Sequence, residues 1–65
     1  MKIESDKQVD AAYIYLQDSL KDGDVKKSVE LNLNMVLDYD IKAKLTGIEI
    51  LNASKVLNKK VLLQS

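Results

Sequence analysis

Along residues 11–17, Ala11-Ala12-Tyr13-Ile14-Tyr15-Leu16-Gln17, apolar side chains fill both phases of a two-residue period: Ala12, Ile14 and Leu16 in one, Ala11, Tyr13 and Tyr15 in the other. Side chains alternate across a strand, so both faces of this strand are apolar. Such a strand belongs inside a sheet with cover on both sides, whereas a strand wetted on one face shows polar residues there. The wetted pattern occurs twice downstream. Residues 25–34 set Val29, Leu31 and Leu33 against Ser28, Glu30 and Asn32, and residues 35–41 set Met35, Leu37, Tyr39 and Ile41 against Val36, Asp38 and Asp40. Two half-buried strands are predicted, with a turn over residues 32–34. After Lys42-Ala43-Lys44, residues 45–51 place Ile48 and Ile50 opposite Gly47 and Glu49, a last strand that pairs back as a hairpin. Residues 2–5 predict a short first strand, joined to residues 11–17 by the polar turn of residues 6–10. Residues 17–24 are polar and contain Asp22-Gly23, which marks a loop.

The period changes after residue 51. Asn52 or Ser54 can cap a helix, and Ala53, Val56, Leu57 and Lys60 recur at spacings of three and four. One short helix is predicted, with Val61-Leu62-Leu63 either prolonging it or adding an edge strand. The expected fold class is α+β: a small antiparallel sheet of four or five strands in a mostly meander order, with one short C-terminal helix on the side of Ile14, Leu16, Ile48 and Ile50. No repeat, low-complexity tract or proline-marked linker divides the chain, so residues 1–65 are expected to form a single domain. One helix covers one face of a sheet, which leaves the tyrosine-bearing face in need of another cover. Tyr13, Tyr15 and Tyr39 are therefore the candidate interface residues, each offering an apolar ring and a polar tip. The plainer alternative puts the tyrosines at the domain's own rim.

Composition narrows the chemistry. Ten lysines and no arginine against ten acids give zero net charge, so no overall field draws in nucleic acid or an anionic membrane. The absence of Cys and His removes disulfides, thiol nucleophiles, imidazole bases and ordinary zinc sites. Ser5, Ser19, Ser28, Ser54 and Ser65 have no His to activate them and no G-x-S-x-G context. Asp38, Asp40 and Glu49 could converge on a hard cation if the last two strands pair, but the signal is weak and the favoured reading is a solvated, edge-protecting strand face. Asp18, Asp22 and Asp24 lack the ligand spacing of an EF-hand and read as a polar loop. From Asn52 onward the chain is +3 and before it −3. Without arginine or interleaved aromatics, that basic end suits the negative terminus of a helix better than phosphate. The longest apolar run, residues 11–16, is far short of a bilayer span, and the first residues carry no signal-like stretch, so a cytoplasmic protein is expected. The same uncharged run would aggregate if exposed, and Asp10 and Asp18 flank it as gatekeepers.

Two stretches resemble domain-of-unknown-function family 2283, a set of small prokaryotic proteins. The first is Asp6-Lys7-Gln8-Val9-Asp10-Ala11-Ala12-Tyr13-Ile14-Tyr15-Leu16. The second is Leu37-Asp38-Tyr39-Asp40 followed by Leu45-Thr46-Gly47-Ile48-Glu49-Ile50-Leu51-Asn52-Ala53-Ser54. The resemblance implies a compact sheet-rich domain of uncharacterised activity and supplies no catalytic residues. Ile41-Lys42-Ala43 replaces the family's acidic and glycine-containing stretch, which argues against a tight glycine turn there; Asn52 replaces a common Asp, and Ser5 a tyrosine. The expected function is a non-enzymatic association module, a homodimer or a small regulatory or antitoxin-like partner. The alternative is a small-ligand or divalent-cation-binding domain using the acidic strand face. No cofactor, metal, nucleic acid or membrane partner is expected.

Overall fold

In a computed structural model that describes residues 2–64, five antiparallel strands form one sheet with two single-turn helices at the C-terminal end. Met1 and Ser65, the latter among the serines weighed above, lie outside the described residues. The strands are β1 (Lys2–Asp6), β2 (Ala11–Tyr15), β3 (Lys27–Asn32), β4 (Met35–Tyr39) and β5 (Leu45–Leu51); the helices are α1 (Ala53–Val56) and α2 (Lys59–Leu62). β2 to β5 fall within the segments that the alternation marks, trimmed at their ends where loop residues 16–26 and 40–44 begin, and β1 runs one residue past its expected end, to Asp6.

The order is β1-β2-β5-β4-β3, which corrects the expected meander. Hairpin β1–β2 and the run β3-β4-β5 each follow the chain, but β5 closes against β2, so β3 becomes the far edge. The physical reason is the connection after β2. Eleven residues, 16–26, separate β2 from β3, whereas a hairpin loop needs only about two to five. The chain uses that length to cross the sheet's end. β2 thereby gains strand neighbours on both sides, as its two apolar phases demand.

Register divides the side chains between two faces. Ile3, Ile14, Ile48, Leu37 and Val29 line up as one row across all five strands, and Ser5, Ala12, Ile50 and Met35 form the next row on the same face. The helices lie on this face. Ala12, Ile50 and Ala53 are its buried centre, packed by Ile14, Met35, Ile48, Leu57 and Leu62. Leu16, expected to share this core, lies just beyond β2 and is exposed.

The single expected helix is two, broken at Leu57, which takes an extended conformation. Asn58 restarts the helix by accepting the Val61 N–H at 3.0 Å, and Val61 and Leu62 join α2 rather than an edge strand. The cap of α1 also differs from expectation. Asn52 holds the N-cap position in a left-handed conformation, φ 55°, and its side chain makes no cap bond. Its amide instead donates to Asn34 at 2.9 Å. The helix is capped from a distance by Asp10, whose carboxylate accepts from the Ser54 N–H at 3.0 Å and the Ser54 hydroxyl at 2.7 Å.

Candidate functional site

On the face opposite the helices, register brings Lys2, Tyr15, Gly47, Asp38 and Ser28 into one row and Glu4, Tyr13, Glu49, Val36 and Glu30 into the next. Gly47 leaves a gap in the first row. Tyr13 leans diagonally into it, its ring lying where a Cβ on Gly47 would have to be. That path carries the Tyr13 hydroxyl from β2 across β5 to β4, where it donates to Asp38 Oδ2 at 2.6 Å. Ser28, from β3, donates to Asp38 Oδ1 at 2.6 Å. Both carboxylate oxygens of the buried Asp38 are thus engaged by hydroxyls at the short separation of charge-assisted bonds. Thr46 adds a bond to the Asp38 carbonyl at 3.1 Å, beside the irregularity in the β4–β5 register.

Burial, followed by the bond to Asp38, pushes the Tyr13 hydroxyl above its ordinary range. It is a neutral donor. Tyr15 meets the Tyr13 ring edge-on, with centroids 4.8 Å apart, and Lys2 sits 5.5 Å over the Tyr15 ring. A hydrogen bond to Glu4 is the main cause that raises the Tyr15 hydroxyl as well. Two of the three candidate interface tyrosines therefore share this face. Tyr39 follows Asp38 in β4 and falls on the helix-bearing face, near Val29 and Ile41, so the three do not make one surface.

The acidic residues separate in the same way. Asp38 is bound to Tyr13 and Ser28, while Asp40 turns into the β4–β5 loop and accepts the N–H groups of Lys42 at 2.8 Å and Lys44 at 2.9 Å. Glu49 remains exposed on β5. Asp24 accepts the Lys21 N–H at 2.7 Å, a loop-closing bond. Among the described residues no three acidic side chains gather in a way that could hold a metal. The β4–β5 loop corrects the expectation drawn from Ala43. The turn forms with alanine at φ 61°, the left-handed conformation that glycine adopts without strain. The Asp40 bonds hold it there.

Ser28, Gly47 and Asp10 are the residues whose roles the sequence pattern did not single out. Ser28 and Gly47 share a two-residue phase with Asp38 and Tyr13 once register is known, and Asp10 looks like any polar turn residue until α1 is placed above it. Asp10, Tyr13, Asp38, Gly47 and Ser54 all belong to the two stretches that carry the family resemblance. The first stretch meets the second at two places, Asp10 on Ser54 and Tyr13 on Gly47 and Asp38.

Shallow cavities border both faces. One of about 290 Å³ lies along Glu4, Ala11, Tyr13 and Glu49. Another, of about 380 Å³, is floored by Val29, Tyr39 and Ile41 at the end of the sheet that the helices do not reach. No helix is long and apolar enough to cross a membrane among the described residues. Comparison with curated proteins and with solved structures returned no match. The profile of the family described as "Protein of unknown function (DUF2283)" matches residues 2–54, all five strands and the first two residues of α1, and the chain belongs to that family.

Proposed function

We propose that the chain is a non-catalytic association module whose apolar sheet is completed by a second polypeptide. The supporting observation is surface. The chain exposes 5024 Å², where a compact monomer of its 7.3 kDa would expose about 4,200 Å². Among the described residues only Ala12, Ile50 and Ala53 form its buried apolar centre. Its Cα radius of gyration, 11.7 Å, also exceeds the value of about 10.7 Å for a compact domain of this length. The sheet is spread out rather than folded over a core of its own. The tight polar constellation, Tyr13-Asp38-Ser28, supports a structural role, since those groups satisfy one another and present no unshared base or nucleophile. A protein partner fits better than phosphate, because the uncovered area is apolar rather than basic.

The test is thermal unfolding of the purified chain over about a hundredfold range of concentration, with mass in solution measured alongside. A melting temperature that rises with concentration is expected for self-assembly. A loose, weakly cooperative melt at every concentration is expected if the partner is another protein. A monomer with a sharp, concentration-independent transition overturns the proposal.

A further inference from the structure

The helix-bearing face is covered over only half its width. Around Ile50, which is 1% exposed, Ala53, Leu57 and Leu62 close the core. On β3 and beyond β4, Val29, Leu31 and Ile41 stay 37%, 57% and 79% exposed among the described residues. Leu37 and Tyr39 lie between these residues and are half-buried. The row Ile3, Ile14, Ile48, Leu37, Val29 therefore begins under the helices and runs out into solvent while remaining apolar. A sheet face of this kind needs a second layer about 10 Å above it, and the two helices supply that layer at one end only.

We propose that the missing layer is the same half of a second copy of this chain, so that two sheets pack face to face about a two-fold axis through the Val29, Leu31, Leu37 and Tyr39 patch. This location rests on the association proposed above. Area fits a second copy. The surface in excess of a compact monomer, about 800 Å², equals the share that each partner buries in a standard-size interface. The patch also meets the requirement of a two-fold seam, that one surface complement itself. Its centre is apolar and uncharged, and charges of both signs, Lys26, Lys27 and Asp40, stand at its edge. A two-fold seam through this patch places no charge at the centre. The opposite face is a poorer seam. Its rows carry Lys2, Glu4, Glu30 and Glu49, and the Tyr13 hydroxyl already has its partner.

The experiment compares the parent chain with Leu31→Glu, Ile41→Lys and Tyr15→Lys by sedimentation equilibrium and native mass spectrometry, with far-ultraviolet circular dichroism as the check on folding. Leu31 and Ile41 are exposed in the single chain, so charge there leaves its own core intact. The parent is expected at twice 7.3 kDa. Leu31→Glu buries an unpaired carboxylate from each copy and should weaken the dimer by more than about a hundredfold. Ile41→Lys should weaken it less, and Tyr15→Lys should leave it unchanged. A dimer indifferent to Leu31→Glu and Ile41→Lys but dissociated by Tyr15→Lys overturns the location while leaving the association proposal standing. A loosely folded monomer overturns the second copy as occupant and points to a different protein. A stable, cooperatively folding monomer overturns both.

Discussion

The two halves of the helix-bearing face have similar sequences and opposite fates. β5 offers Ile48 and Ile50 to the core, and β3 offers Val29 and, at an irregularity in its pairing with β4, Leu31. Ile50 is buried beneath Ala53, whereas every residue of β3 is exposed. The difference lies in the segment that each strand leads into. β5 runs directly into α1, which folds back over it, and Asp10 pins that helix to the β1–β2 turn through Ser54. β3 runs into a tight turn at Leu33 and Asn34, closed by the Asn32 side chain, and returns as β4, which pairs beside it in the sheet rather than folding over it. Alternation states that a face is apolar. It does not state whose atoms will cover that face.

The largest expected effect separates the halves directly. Ile50→Ala removes a fully buried side chain from a three-residue centre and should cost about 3 kcal/mol, enough to unfold much of so small a domain. Leu31→Ala, measured in dilute solution where assembly is suppressed, should cost less than about 0.5 kcal/mol. Urea titration of both variants checks this. Equal costs would mean that β3 is packed within the single chain.

A second comparison concerns the opposite face, where the two halves are tied together. Gly47→Ala puts a methyl group into the Tyr13 ring, and β5 is packed between β2 and β4, so the ring must swing off Asp38. A loss of about 2 kcal/mol is expected. In a Tyr13→Ala background the same change should become neutral or favourable, because a strand interior prefers alanine to glycine. This coupling, read from the four stabilities, is the signature of the ring lying on the glycine. Independent, additive losses would show that Gly47 serves another purpose.

The helix tether is a smaller effect. Asp10 sits at φ 52°, so Asp10→Gly keeps the turn's backbone while removing the carboxylate that caps α1. A cost of about 1 kcal/mol is expected, in the range of a lost helix cap. Amide exchange at Ser54 and Lys55 should speed up while exchange in β3 and β4 stays unchanged, since the cap serves the covered half alone.

These contacts also show where sequence reading succeeds and stops. The two-phase pattern of residues 11–15 predicts an interior strand, and the strand does have neighbours on both sides, because burial on both faces is a property of one strand's own composition. Strand order is not. Whether β5 closes on β2 depends on the length of residues 16–26, a loop whose polar letters record only that it is a loop. Tyr13 and Asp38 were legible as a candidate interface residue and a candidate carboxylate. Their pairing was not, because it requires Gly47 to stand between them, and that depends on register. The sequence points to Asn52 or Ser54 as the cap of α1, but the acceptor comes from a turn more than forty residues earlier. The two single-turn helices result from an extended Leu57 that no breaker residue announces.

The tyrosine network gives the sheet a pH limit on the alkaline side. Tyr13 and Tyr15 both have hydroxyls raised above the unfolded value of 10.0. The native state therefore holds protons that the unfolded state releases above pH 10, and stability is full below that point and falls as pH rises beyond it. Absorbance at the tyrosinate band should show Tyr13 ionising together with unfolding. In Tyr13→Phe the steep alkaline loss should flatten. An unchanged profile would assign that loss to other groups.

The smallest effect has the opposite sign. Ala43 is held at φ 61° in the β4–β5 loop, where a Cβ crowds the following carbonyl by roughly 1–2 kcal/mol. The conformation persists because Asp40 over-determines it, accepting the Lys42 and Lys44 N–H groups and, through its carbonyl, the Ala43 N–H at 3.0 Å. Ala43→Gly relieves the strain but gives the unfolded chain more freedom, which offsets part of the gain, so a net stabilisation of about 0.5 kcal/mol is expected. Asp40→Asn, which weakens the acceptor, should cost more in the parent than in the Ala43→Gly background. The loop borders the uncovered patch through Tyr39 and Ile41, so its rigidity bears on the seam as well as on the fold. If Ala43→Gly stabilises the single chain while weakening the dimer, the strained turn is what holds Ile41 in place for its partner.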